Sequence, residues 1–582
     1  MQFNLNRTVI SILFTICFIF LSISAIIIYI TRPNGYEVSI YSAVPLIAWF
    51  FLSLPLFFGI IISLRKALTH KRFRNLIADY QFLIGLLLIF ISGIIVSSIP
   101  LIRGYYQWGR GDPFSHLLWM QDIELTGHIP KYLIYPLSHT YMVIVGLITN
   151  LNTSALMGNY SLLLGIPAIL FSFLFAKKFI GEICAVIFLI FSISGSIGCL
   201  YFFAGTIPGY LFLLIIFLFM VLIQRADKSR TSFFILLIIL IIAIVPGHPN
   251  AVINCAIVMV VIIIFFKYEE YSKKIQNHAS FVPLFILFIA FFTWISQFWL
   301  LTSTLRKMRD VIYFQQENSE IAMLQQSLDY ASSYGYSWVE MFFKVYGRSA
   351  IIIFVSMFAL YIYYKENQKI KNRIAVIFIL LFAFILCTGL LYLTNTGFGP
   401  QRMLLIAITF SSLLMALVLY YIRDWKYHFK NNYLSAQLFT IPLVIGLCVM
   451  SITTMYPSPY LLTFNDQYTL NEKMGIDWLK ANSREADIKF IGLGEVMKRS
   501  GFEVKYPPYH FGYNRFPYLG NAINYETYYI SDKLDRLLYT DVLQKAAVSR
   551  WLPEDFDKLE YDKSVDKYYS NGETEVRFIK KL

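Results

Sequence analysis

The feature that most constrains this chain is its long apolar runs. A helix needs about 20 consecutive apolar residues to cross the hydrocarbon core of a bilayer. Only helices and closed barrels can do so, because every backbone N–H and C=O must be paired without water. "TVISILFTICFIFLSISAIIIYI" (Thr8–Ile30) and "IAVIFILLFAFILCTGLLYL" (Ile374–Leu393) meet that length without a single charge. The same ruler predicts about thirteen spans, near 8–30, 42–64, 80–102, 157–176, 183–204, 207–224, 231–246, 251–267, 281–302, 349–365, 374–394, 404–422 and 438–455. Composition agrees: 57% of residues are hydrophobic and 14% charged, against roughly 25% charged in soluble domains. The expected class is an all-α polytopic membrane protein.

Charge orders the connections. "RKALTHKRFR" (Arg65–Arg74), Lys177 and Lys178, "RADKSR" (Arg225–Arg230), "KYEEYSKK" (Lys267–Lys274), "KENQKIKNR" (Lys365–Arg373) and "RDWKYHFK" (Arg423–Lys430) all fall on one side of a thirteen-span chain. The alternate turns, "GTIP", "GHPN" and "NTGFGPQR", are nearly uncharged. Basic loops collect on the cytoplasmic side. The N-terminus is therefore expected in the cytoplasm and the C-terminal region outside. The net charge of +14 is accounted for by these loops and does not call for nucleic acid. The first run follows Arg7, exceeds a signal-peptide core and lacks a small-residue cleavage site, so it is expected to stay as a span. All six cysteines lie in apolar runs with no C-x-x-C, which implies neither a disulfide framework nor a zinc site.

Three pieces are expected on the outer face: the loop from 103 to 156, a stretch from 303 to 348, and the tail from 457 to 582. Within the first, "LSHTYMVIVGLITN" (137–150) is too short to span and is expected to lie along the interface. The tail reads as a small α/β or α+β domain. "DQYTLNEKMGIDWLKANS" predicts a helix entered at Asn465–Asp466, "IKFIGLG" a buried strand, and "VDKYYSNGETEVRFIKK" a hairpin turning on Asn571-Gly572 as type I′.

The titratable chemistry concentrates in "WGRGDPFSHLLWMQDIELTGHIP" (Trp108–Pro130). Asp112 before Pro113 is a helix start, with Asp as cap and Pro at the first helical position. His116 follows four residues later on the same face. At a membrane boundary a carboxylate can also take a proton from a hydroxyl, or join His116 on a divalent metal. Asp122 and Glu124 read as a solvated face, and His128 as an interfacial polar residue. His248, between Pro246 and Pro249, is expected at an outer turn. Arg402 at an outer helix end either snorkels to the interface or clamps a phosphate. Arg306, Lys307 and Arg309 follow the ninth span and read as a juxtamembrane cluster that can also meet phosphate.

"GDPFSH" after a span, then "TGHIPKYLIYPLSHTYMVIVGLIT", then a span ending in "KK" resembles the first external loop of the GT-C superfamily of polytopic glycosyltransferases. These include oligosaccharyltransferase catalytic subunits and protein mannosyltransferases. The resemblance covers roughly 80–456 in order and topology, with 1–79 as two added spans. It implies a sugar donor on polyprenyl or dolichyl phosphate, a site at the outer face, membrane lipid as surroundings, and a glycan, lipid or protein acceptor. It implies Asp112 as the catalytic or metal-binding acid and Arg402 near the donor phosphate. By their positions in the chain, His116, His248 and Arg306 are candidates for further substrate contacts. Two departures stand out. The loop "AGTIPG" (204–209) lacks the second acidic motif, and no W-W-D-x-G occurs in the tail. Protein N-glycosylation is thereby disfavoured and the metal left open. The alternatives are a polysaccharide polymerase or ligase working through the 303–348 stretch, and a transporter of lipid-linked sugar.

Overall fold

The computed structural model describes residues 7–110, 112–194, 230–273, 282–298, 302, 306, 309, 329, 332, 335–365, 368–393, 400–424, 433–482, 491–492, 513, 516–522, 526–537 and 553–582. The expected span 207–224, the "AGTIPG" turn, Lys307 and most of the 303–348 stretch lie outside these.

The chain is an integral membrane protein. Six of the described helices are long and apolar enough to cross a bilayer: Thr8–Ile30, Leu46–Thr69, Tyr80–Ser97, Trp338–Lys365, Lys371–Leu391 and Arg402–Arg423. In chain order the elements used below are α1 (Arg7–Ile30), α2 (Leu46–Thr69), α3 (Tyr80–Ser97), β1 (Gln107–Trp108), α4 (Asp112–Thr126), α5 (Leu137–Thr149), α6 (Thr153–Phe179), α7 (Glu182–Ile193), α8 (Arg230–Ile244), α9 (Pro249–Lys273), α10 (Val282–Ile295), α11 (Trp338–Met357), α12 (Gln368–Leu393), α13 (Pro400–Asp424), α14 (Tyr433–Thr453), β2 (Gln467–Tyr468) and α15 (Leu470–Asn482). The strands β3 (Ile491–Gly492), β4 (Thr527–Asp532), β5 (Val565–Ser570) and β6 (Thr574–Ile579) follow. The span that includes α13 is 83% buried, against 28% to 39% for the other five. It is the axis on which the bundle packs. The closest helix approach uses small residues. A Cβ on Gly59 of α2 would sit 2.7 Å from the Gly85 carbonyl oxygen, and one on Gly85 of α3 would sit 2.6 Å from Ser63 Oγ. Without glycine at both places these backbones could not close up.

Four of the six basic connections meet at one end of the bundle. The Lys177 ammonium lies 4.5 Å from the Phe73 ring. Arg373 donates to the Phe179 carbonyl at 3.4 Å, and Arg423 to the His70 carbonyl at 3.4 Å. The tail sits against the other end, where Tyr36 donates its hydroxyl to the Asn465 carbonyl at 2.8 Å and Arg103 pairs with Glu37. The alternation of charge along the chain thus becomes a separation in space.

Three local expectations change. Helix α11 begins at Trp338 rather than at 349. Ser337 caps it, its Oγ accepting from the Glu340 N–H at 3.1 Å, so the "SWVE" start lengthens the helix into what reads as loop. Helix α15 is capped by Thr469, not by Asn465–Asp466. Thr469 Oγ1 accepts from the Glu472 N–H at 3.1 Å and Glu472 Oε2 accepts from the Thr469 N–H at 2.8 Å, a reciprocal capping box. The hairpin turn is not type I′, which requires positive φ at both central residues. Only Gly572 has it (φ +86°), while the Asn571 side chain accepts from the Glu573 and Thr574 N–H groups at 3.1 and 2.8 Å.

The tail strands form one sheet in the order β3-β4-β6-β5, with β3 and β4 parallel and the other pairs antiparallel. Strand β4 alternates its side chains between two small cores. Tyr528 and Ile530 join Tyr468, Ile476, Leu479 and Val576 on one face, and Tyr529 meets Leu519, Phe556 and Ile579 on the other. Tyr106 and Leu118 of the 103–156 loop pack against the former core, so loop and tail share apolar contacts.

Candidate functional site

The site is built on the segment joining α3 to α4. Strand β1 pairs antiparallel with β2, Gln107 opposite Tyr468 and Trp108 opposite Gln467. The next N–H, of Gly109, donates to the Asp466 carbonyl at 2.9 Å. Gly109 then turns the chain at φ +104°, where a Cβ would lie 2.5 Å from the Pro113 ring. Both the dihedral and the clash demand glycine.

Arg110 follows, fully buried. Its guanidinium donates to Glu472 at 2.8 and 3.1 Å, to Asp532 at 2.9 Å and to the Gln467 carbonyl at 2.7 Å. Burial pushes the Glu472 carboxyl up to about 8, against the pull of Arg110 and with the repulsion of Asp532. Burial and Asp532 likewise hold the Asp535 carboxyl well above its usual range. Three residues of the tail thus grip a side chain two positions ahead of Asp112.

Helix α4 starts at Asp112 with Pro113 next, as the sequence indicates. The side chain of Asp112 lies outside the described residues. One turn on, His116 is buried, its Nδ1 2.7 Å from Nε2 of His139 on α5. His139 Nδ1 is 3.0 Å from the Tyr135 carbonyl. A carbonyl can only accept, so His139 carries its proton on Nδ1. Neutral His139 therefore accepts at Nε2, and His116 donates from Nδ1. When His116 is neutral, its Nε2 is left as the proton-accepting nitrogen. Burial holds His139 down to about 4, the Tyr135 carbonyl pulling the other way, so it stays neutral near pH 7.

Aromatic rings fix this pair. Trp119 lies 5.3 Å from His116 and 5.4 Å from His139 by ring centroids. The Tyr135 ring is 5.9 Å from both and 4.9 Å from His248. The turn between α8 and α9 is docked by its Pro246 carbonyl, which accepts from the Leu137 N–H at 3.3 Å. His248 Nδ1 accepts from the Asn250 N–H at 3.1 Å, so neutral His248 carries its proton on Nε2. Burial first, and then the charge of Arg402, hold His248 down to about 3. Arg402 itself is exposed in the first turn of α13.

Of the sequence candidates, His116 and His248 meet around Tyr135, and Arg402 acts electrostatically on His248. Arg306 is exposed, and no described contact joins it to the histidines. Asp122, Glu124 and His128 are exposed and bonded locally, to Tyr132, Thr153 and the Thr126 carbonyl respectively. Sequence reasoning gave no role to His139, Tyr135 and Trp119. The i, i+4 pair Tyr135–His139 across Pro136 was the available signal. Among the described residues no group of three or more His, Cys, Asp or Glu is arranged for a metal ion.

No protein-family model and no curated protein matches the chain. Among solved structures it is similar to the oligosaccharyltransferase of Archaeoglobus fulgidus in complex with Zn and sulfate, at 12% identity over 84% of this chain and 72% of that one, with a TM-score of 0.49. It is also similar to ArnT from Cupriavidus metallidurans in the apo state, at 10% identity over 85% and 97% with a TM-score of 0.47. The undecaprenyl phosphate-bound form of that ArnT matches at 9% identity over 85% and 97%, with a TM-score of 0.49. An oligosaccharyltransferase, one of the kinds that the first-loop pattern resembles, is thus among the similar structures. Each likeness stays below a TM-score of 0.5, and no residue role is carried across.

Proposed function

We propose that the chain is a membrane glycosyltransferase that moves a sugar from a polyprenyl or dolichyl phosphate to a hydroxyl-bearing acceptor at the extracytoplasmic face, with inversion at the sugar carbon. The observation that carries this reading is the buried relay from the Tyr135 carbonyl through His139 to His116, one turn from Asp112 and joined through Tyr135 to His248 and the charge of Arg402. It combines proton acceptance with a cation at the end of the bundle where the tail sits.

In the proposed reaction the acceptor oxygen attacks the anomeric carbon. The new C–O bond forms as the bond from that carbon to the phosphate oxygen breaks, and the bond pair leaves with the lipid phosphate. The hydroxyl proton passes to Asp112 or to His116 Nε2. Arg402, with the Nε2–H of His248, stabilises the departing phosphate, and Arg306 is proposed as a further phosphate contact. The relay favours His116 as a proton acceptor in its own right, because neutral His139 fixes the tautomer that needs no prior ionisation.

The test is incubation of the purified chain with radiolabelled polyprenyl-phosphate sugars and scoring of transfer or hydrolysis. Asp112→Asn and His116→Gln are each expected to lower turnover without loss of folded protein. Full activity in both would remove this end of α4 from the mechanism. Loss on changing Arg306 and Arg309 alone would favour the polymerase or ligase reading.

A further inference from the structure

Helix α9 begins at the His248 turn and carries two asparagines in its first turns, Asn250 and Asn254. They are four residues apart, so their side chains share one helix face, with about 6 Å of rise between them. Both are more than nine-tenths buried, at 6% and 3% exposure. Asn250 Nδ2 and Oδ1 and Asn254 Oδ1 have no hydrogen-bond partner. A buried amide left unpaired is costly, and at bilayer depth polar side chains mark pathways and binding sites.

The chemistry of the unmet groups narrows what they await. The backbone donors of this helix start are already taken. Asn250 N–H donates to His248 Nδ1 at 3.1 Å, Ala251 N–H to the His248 carbonyl at 3.0 Å, and Val252 N–H to the same carbonyl at 3.3 Å. Pro249 has no N–H. The helix end therefore has no free amide for an anion. What stands open is one amide donor and two carbonyl acceptors. A phosphate only accepts and would be repelled by two carbonyl oxygens. A hydroxyl both donates and accepts.

We infer that Asn250 and Asn254 form a subsite for a neutral polyhydroxylated ligand, the sugar ring of the lipid-linked donor, with the phosphate lying outward toward Arg402. This rests on the glycosyltransferase reading for the identity of the lipid. The pair then reads which sugar is carried, while the cation end reads the phosphate common to all donors.

The test uses the full chain in lipid nanodiscs with two probes, undecaprenyl phosphate and undecaprenyl phosphate bearing mannose or glucose. The wild type is expected to bind a hexose-bearing lipid about tenfold more tightly than the bare one, the effect of two or three hydrogen bonds. Asn250→Leu with Asn254→Leu is expected to bring that ratio close to one and to leave affinity for the bare lipid within about twofold. Because leucine is close in shape and has no polar group to strand, the ligand-free unfolding temperature of the double variant is expected to hold or rise. A double variant that keeps the hexose preference overturns the inference. So does one whose ligand-free unfolding temperature falls sharply, since the amides would then be satisfied by ordered water. A wild type that binds both lipids equally overturns the inference alone. A wild type that binds neither overturns the donor reading as well.

Discussion

At the scale of the residue, the two-histidine relay makes the sharpest demand. His139 touches no reacting atom in the proposed mechanism and acts only through His116, so it is a positioning residue. His139→Gln is expected to lower turnover about tenfold or more while leaving donor KM near its wild-type value. It should also move the acidic limb of the pH–rate profile, which a merely structural loss would leave in place. A second expectation concerns stability. Burial lowers His139 and His248 to about 4 and about 3, below the ordinary 6.5 of the unfolded chain. Between those values the unfolded chain binds more protons, so stability is full above about pH 6.5 and falls as pH drops toward 4. Thermal unfolding across pH 4–8 checks this, and His139→Gln should flatten part of the slope. That Asp112 and His116 lie one turn apart could be read from the sequence, because Asp before Pro marks a helix start. His139 was given no role, because the Tyr135–His139 spacing across Pro136 marks a helix start without separating packing from proton handling.

At the scale of the element, the start of α4 is held from outside. Gly109→Ala must meet both a positive φ and the Pro113 ring, and is expected to destabilise by about 1–3 kcal/mol. The unfolding midpoint and transfer activity report it. Glu472→Ala strands a buried guanidinium with Asp532 and one carbonyl, a loss on the order of 3–5 kcal/mol. Arg110→Met with Glu472→Leu removes both charges and should recover much of it, which a double-mutant cycle would measure. Failure of the double change to recover stability would mean that the pair matters for more than its charge. Spans were readable from length alone, as α1, α2 and α3 show. The start of α11 and the cap of α15 were not read correctly, although each carries a Ser or Thr followed three residues later by Glu. The first lay inside a polar stretch, and in the second Asn465 and Asp466 were equally good caps by type. What decides the second is the β1–β2 pairing, a contact between distant segments that no local pattern encodes.

At the scale of the whole molecule, the charge pattern makes a claim about sides. The ends of the bundle are chemically unlike, with basic loops at one and the tail at the other. If the basic end is cytoplasmic, a cysteine introduced at Tyr561, 86% exposed on the tail, reacts with a membrane-impermeant maleimide in intact cells. One introduced at Arg72 reacts only after lysis. The reverse pattern would invert the topology and remove the extracytoplasmic site. The sequence indicated this division because lysine and arginine placement is set by the membrane rather than by packing.

Arg110 finds its partners 362 and 422 residues further along the chain. Synthesis must therefore have passed Asp532 before the beginning of α4 acquires this fixed shape. Until then a nascent copy has bilayer segments but lacks the clamp on Arg110, so a chain cut before Asp532 is expected to insert yet to lack the proposed transfer activity.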